Sequence, residues 1–372
     1  MKKNHRGIRI LSLLLVLSLM AAVVAGCSSK TSSNDTSKAA TTTIEDLTGK
    51  TVTLPTPEKI ERVAVLTSPT VQIMYIIGAQ DKLCAMTASQ SRFKLFEKFY
   101  PRQAEIPAPR KTAGDINMEA LLNTDPQFCI GSEVDMNVIE KNSKIPTVKV
   151  ATQEDPQRVF EVRKEEVRLF GKIFGKEDRA EVYCEFLDTK IKDQTKDIAE
   201  DKKMKVYIGF GADHLTTYGG DTYMQYLIAA SGCQNAAEEI STLGGKEGGL
   251  ANVSLEQVVQ WDPDIIIIDS GNLDGLKKNP VWAKVAAVNN GNVFDLPVGG
   301  FMWGRPSAES AALLPSWLAH KAYPDKFKDS SIEKDIKNYW KEVIGFELSD
   351  EDVKTILNPS PMKGPGGGSG GK

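Results

Sequence analysis

One fifteen-residue pattern occurs twice in this chain, and few architectures can hold it. Residues 116–130 and 253–267 both read apolar, helix-capping residue, apolar, Glu, variable, two apolar, two variable, Asp-Pro, variable, then an apolar run. Asn117 and Ser254 are good N-caps, because their side-chain oxygens accept from the free amides of a first helical turn. Glu119 and Glu256 follow two residues later, near the positive end of the helix dipole. The helix is expected to stop before Asp-Pro, since proline disfavours the helical conformation in the residue ahead of it. The runs at 128–130 and 265–268 lack polar alternation, the mark of a strand covered on both faces in a parallel sheet. An offset of 137 residues, from Glu119 to Glu256, is too long for a solenoid repeat. The pattern therefore predicts an α/β protein of two similar, Rossmann-like lobes, each with its own mainly parallel sheet.

The remaining punctuation fits that layout. Residues 44–54 read as an edge hairpin turning at Thr48-Gly49, and 62–66 as a strand followed by a Thr70-capped apolar helix that Gly78 stops. Residues 83–86 and 147–150 are further strands, which makes 44–175 an N-terminal lobe of alternating strand and helix. Val159, Phe160, Val167, Phe170 and Phe174 lie at helical spacing before Gly175. Residues 176–201 then run without glycine or proline, with Ala180, Tyr183, Phe186, Leu187, Ile191 and Ile198 on one side. That is one long helix, a stiff connector between lobes. Residues 202–358 form the C-terminal lobe, closing with helices at 307–322 and 331–344. Its ligand cleft is expected between the lobes.

Both ends fall outside the fold. Lys2, Lys3, Arg6 and Arg9 precede an apolar stretch from Ile10 to Val24, shorter than the ~20 residues a spanning helix needs. Residues 1–26 therefore read as a signal peptide. Cys27, directly after Ala25-Gly26, resembles a bacterial lipobox cysteine. That implies a diacylglyceryl anchor and an extracytoplasmic protein tethered to the bacterial membrane; a plain cleaved signal is the alternative. Residues 27–43 are mostly Ser, Thr, Lys and Ala and read as a flexible tether. The Gly-rich residues 359–372 read as a disordered tail. Net charge is −3, and without a clustered basic field nothing points to nucleic acid. Cys84, Cys129, Cys184 and Cys233 form no Cys-x-x-Cys pair and are expected to stay unpaired, two of them as small hydrophobes in strands. Only His214 and His320 remain after the signal, with no ligand spacing for zinc.

Together these segments resemble the substrate-binding lipoproteins of ABC importers for iron-siderophores, haem and cobalamin. The resemblance is carried by Asp46–Pro55, the Arg62 strand, the Ser68-Pro69-Thr70 helix ending at Gly78-Ala79, and the two Glu-bearing repeats. Gly219-Gly220-Asp221-Thr222 and Asn290-Gly291-Asn292-Val293 continue it, over roughly residues 43–350. It implies two α/β lobes joined by a rigid helix, with the ligand between them. It also implies that Glu119 and Glu256, one per lobe, dock onto arginines of a membrane permease served by an ATPase. Opposite charges there would fix register and speed encounter more than they add affinity. The plainer reading of both glutamates is a dipole preference worth about 0.3–1 kcal/mol.

In α/β lobes, ligands sit beyond the carboxyl ends of the strands. The residues there are Ser68, Ser89 to Phe93, Ser132, Phe210 to His214, Ser270-Gly271, and the segment from Gly299 to Arg305. Arg305 can pair bidentately with carboxylate or hydroxamate oxygens. Trp303 can stack on a flat ligand, Met302 can pack on one, and Tyr218 can offer its phenol. His214 belongs to a loop, where a histidine is more often solvated than a ligand. There is no nucleophile–base constellation, Walker motif or dinucleotide fingerprint, so the expectation is a monomeric receptor without intrinsic cofactor, not an enzyme. Its expected cargo is an iron complex, a ferric siderophore first, with haem and cobalamin as alternatives. A surface sensor or adhesin, or a metallocofactor enzyme, are the readings of other classes.

Overall fold

The computed structural model describes residues 40–89, 93–150, 156–191, 198–199, 202–242, 249–269 and 273–359. The signal peptide, Cys27, the Gly-rich tail and the Ser270-Gly271 pair lie outside them. Strands β1 (Thr41–Glu45) and β2 (Thr51–Pro55) form an antiparallel hairpin with Thr41 opposite Pro55. Asp46 closes its turn, accepting from the Thr48 and Lys50 amides at 2.9 and 3.0 Å. The first strand thus begins inside the stretch assigned to the tether. Three β-branched threonines ahead of Ile44 suit a pleated edge, which a composition argument overlooks.

The N-terminal lobe contains β3 (Val63–Val65), α1 (Ser68–Ile76), β4 (Leu83–Ala85), α2 (Lys94–Phe99), and a small hairpin of β5 (Arg110–Thr112) and β6 (Asp115–Ile116). There follow α3 (Met118–Leu122), β7 (Phe128–Gly131), α4 (Glu133–Asn142) and β8 (Thr147–Lys149). Its parallel sheet has the order β4-β3-β7-β8. Val63, Ala64, Val65, Phe128, Cys129 and Ile130 are wholly buried, as an unbroken apolar run requires when both faces are covered.

Two helices come next: α5 (Val159–Phe174) and α6 (Glu177–Ile191). They form a hairpin about Gly175, whose left-handed φ of 62° ends α5. A Cβ on Gly171 would come within 2.8 Å of the Ala180 Cβ, so the two rods are in close contact. The connector expected at 176–201 is therefore α6 laid against α5. Its end beyond Ile191 falls largely outside the described residues, and 198–199 are not helical.

The C-terminal lobe contains β9 (Lys205–Gly209), β10 (Thr216–Tyr218), α7 (Tyr223–Ala230), β11 (Gln234–Asn235), β12 (Leu250–Asn252), α8 (Leu255–Trp261), β13 (Ile265–Ile268), α9 (Leu273–Lys278), α10 (Ala286–Asn289) and β14 (Val293–Asp295). It ends with α11 (Ala308–Ala322), α12 (Ile332–Asn338), a π-helical turn at Tyr339–Ile344, and α13 (Asp350–Leu357). Its parallel sheet runs β11-β9-β13-β14. Both sheets thus place their own second strand first, then the first, third and fourth.

The hairpin crosses between lobes twice. The turn leading into α5 packs on α7, whereas Gly175 at the far end sits against Pro57, 3.1 Å from where its Cβ would be. On α6, Arg179 donates to the Ile76 carbonyl of α1 at 3.2 Å, and Tyr183 to the Ala308 carbonyl of α11 at 3.1 Å. One rod therefore holds an element of each lobe.

Candidate functional site

The two repeats fold alike. The Asn117 side chain caps α3 by accepting from the Ala120 amide at 3.0 Å. Ser254 caps α8 by accepting from the Gln257 amide at 3.1 Å, and Gln257 returns the bond to the Ser254 amide at 2.8 Å. Asp262 caps the end of α8 in left-handed conformation (φ 44°), and Asp125, three residues past the end of α3, adopts the same conformation (φ 46°). The following proline bars the right-handed region, and aspartate tolerates the mirror one. Glu119 and Glu256 are exposed, and neither carboxylate has an ion-pair or hydrogen-bond partner among the described residues.

On the N-terminal side of the cleft, β3 and β4 release a hydroxyl cluster. The Ser68 hydroxyl, buried at the start of α1, bonds those of Thr87 and Ser89, and Thr87 and Ser89 are 3.0 Å apart. Ser132 is occupied structurally: it accepts from the Asp135 amide to cap α4 and donates to the Asp135 carboxylate at 2.8 Å. Phe93 is buried against Phe301 of the other lobe, ring centroids 4.7 Å apart.

On the C-terminal side, the loops after β9, β13 and β14 converge. The Arg305 Nη1 donates to the Tyr218 hydroxyl at 2.9 Å, and its guanidinium lies 5.5 Å from the Phe210 ring centroid. Its Nε and Nη2 have no protein partner among the described residues. Asp269, the first polar residue after β13, is half-buried with an orphan Oδ1. Burial raises its carboxyl, opposed by the Arg305 charge. His214 is only 3% exposed, and neither ring nitrogen has a partner among the described residues. Burial lowers its imidazole, with Asp213 opposing, so the ring is held neutral and keeps a bare lone pair. The loop can double back so tightly because a Cβ on Gly209 would lie 2.6 Å from the His214 carbonyl.

Several sequence expectations change here. His214 is not solvated. Trp303 is wholly buried and belongs to the core, so it presents no face to a ligand. Beside Tyr218, Tyr223 is packed at the start of α7, buried and donating to the Gly304 carbonyl at 2.8 Å. Met302 is half-buried and bridges to Val298. Asp269 and Thr87 were missed. Asp269 ends the apolar run 265–268, and that position was the signal. Thr87 reads in sequence as an ordinary strand-end hydroxyl.

A family model described as "Periplasmic binding protein" matches residues 63–298, and the chain belongs to that family. It is the solute-binding component of an ABC importer, extracytoplasmic and not an enzyme. It is 25% identical to the molybdate-binding protein MolA of Haemophilus influenzae, covering 80% of this chain and 89% of that protein. It is 24% identical to the Fe(3+)-citrate-binding protein YfmC of Bacillus subtilis, covering 77% and 89%. Among solved structures, a periplasmic solute binding protein from Veillonella parvula superimposes with a TM-score of 0.73 at 25% identity, covering 86% of this chain and 97% of that one. Its partners are thus a permease, an ATPase and a small-molecule solute. Among the described residues no helix is long and apolar enough to cross a membrane.

Proposed function

We propose that this receptor captures a small anionic metal complex between its lobes, anchored by a lipid on Cys27 and delivered by docking through Glu119 and Glu256. The observation that carries the ligand class is Arg305, braced by Tyr218 and Phe210, with two donor edges open beside the Asp269 carboxylate. A guanidinium held this way favours a carboxylate or oxyanion. Burial of Trp303 removes the aromatic platform that a large siderophore or haem would use. The ferric complex remains the first reading, now as a compact carboxylate or hydroxamate chelate. Fe(3+)-citrate and molybdate, the ligands in the names of the two relatives, are both anions of this kind and molybdate is the second reading.

Calorimetric titration with ferric citrate, a ferric hydroxamate, molybdate, haem and cobalamin separates these classes. One of the first three should bind, and Arg305→Ala should weaken it by about 1.5–3 kcal/mol, the range for a hydrogen bond to a charged group. Tight binding of haem or cobalamin with none of the anions would defeat the proposal.

A further inference from the structure

We propose that Phe93 and Phe301 form a bar across one end of the cleft and so limit the size of the chelate this receptor accepts. The proposal rests on the reading above of a small anionic complex, and adds the residues that enforce its size. The bar joins the edges of the two sheets. Strand β4 is an edge strand of the N-terminal sheet and β14 an edge strand of the C-terminal one. Phe93 belongs to the chain that leaves β4, and Phe301 to the chain that leaves β14, the segment that also carries Arg305. Both lie beyond the carboxyl ends of their strands, where α/β lobes take their ligands.

The two rings meet with centroids 4.7 Å apart, a packed aromatic pair. At 2% and 6% exposure they leave no solvent gap between the lobes at this edge. Each ring stands on a braced backbone. The Phe93 carbonyl accepts from the Gln103 side-chain amide at 3.3 Å, and Gln103 is wholly buried and bonded to the Tyr75 hydroxyl. The Phe301 amide donates to Glu309 Oε2 at 3.3 Å, and its carbonyl accepts from the Gly299 amide at 3.0 Å. These are backbone braces, so truncating either ring leaves them in place.

Outward from the bar the contact continues as an aromatic corner. Phe96 meets Trp340 of the π-helical turn at 5.1 Å, and Phe99 meets Phe346 at 5.3 Å. Lys98 pairs with Asp352. A Cβ on Gly300 would lie 2.3 Å from the Phe96 ring, so loop and helix touch directly. Packing this close leaves no passage for a ligand.

The opposite end is spanned by the chain itself. Strands β8 and β11 are the other two sheet edges. The turn at Pro156–Arg158 follows β8 in the chain and packs on α7, which leads into β11. A cleft bounded at both ends selects by length. A metal ion wrapped by small carboxylates or hydroxamates is short, whereas a macrocycle or a trihydroxamate siderophore extends well past its metal. The aromatic end is held by side chains alone, so it is the end that substitutions can open.

Calorimetric titration of the full chain tests this, with ferric citrate and molybdate as compact probes and a linear ferric trihydroxamate and haem as bulky ones. Wild type should favour a compact probe. Phe93→Ala and Phe301→Ala should each shift the ratio of bulky to compact affinity by about tenfold toward the bulky probe, the relief of one steric clash. Phe99→Ala loosens the same corner about 9 Å farther along α2, and should leave the ratio unmoved. Phe93→Leu and Phe301→Leu should move it the same way by less, and they decide the matter if the alanine variants do not fold. A wild type that takes the bulky probes as tightly as the compact ones, an unmoved ratio in the Phe93 and Phe301 variants, or an equal shift in Phe99→Ala would each overturn the bar. A wild type that binds no compact anion, with variants that gain a bulky probe, would keep the bar and sink the anionic reading instead.

Discussion

Glu119, Glu256 and Glu309 occupy the same register, the second residue of a helix capped by Asn or Ser. Two are exposed and one is buried, and nothing in their local sequence separates them. The difference comes from Gly299 and Gly300, which let a backbone loop close over Glu309. This shapes a prediction about stability. The folded chain holds the Glu309 carboxyl at about 7 against an ordinary 4.5, so the unfolded state is the weaker proton binder here. Its contribution is full below pH 4.5 and is lost as pH rises toward 7, by about 3 kcal/mol at most. Denaturant unfolding of wild type and Glu309→Gln across that window should show the difference between them changing by this amount, with wild type losing ground as pH rises. Gly300→Ala should cost about 1–3 kcal/mol at any pH, because Phe96 must move to admit a methyl group. The binding residues were partly legible. Arg305 and Tyr218 follow from glycine-rich and strand-end positions, whereas burial of Trp303 and His214 depends on which loop folds over which.

At the scale of elements, the repeats were the most legible part, because capping, dipole and proline rules act within a few residues. Ser254→Ala should cost about 1 kcal/mol in urea unfolding, through loss of the bond its hydroxyl accepts from the Gln257 amide. Asn117→Ala should cost a similar amount, and the double variant their sum, since the sites lie in separate lobes. The ends of the two helices were less legible. Proline predicts where they stop, but left-handed Asp125 and Asp262 are set by the strand that must follow at once. The connector shows a similar limit. Periodicity finds the buried face of α6, yet its pairing with α5 turns on Gly171 and Ala180, two small residues that only tertiary contact makes significant.

At the scale of the molecule, the shared strand order of the two sheets was implicit in the duplicated segment, which supplies the third strand of each. Whether the lobes touch was not implicit, because the aromatic corner joins residues some 200 positions apart, such as Phe93 and Phe301. Reversing both Glu119 and Glu256 to lysine should abolish uptake while leaving solute affinity intact; retained uptake would exclude them as docking residues. The rods α5 and α6 also resist bending, so solution scattering with and without bound solute should differ by a closure of a few degrees rather than a wide hinge. The hairpin has a further consequence for traffic at the membrane. A receptor whose two lobes keep their spacing presents nearly one footprint, full or empty. A permease reading only that footprint would admit empty receptors as readily as loaded ones, and import would slow when receptor outnumbers cargo.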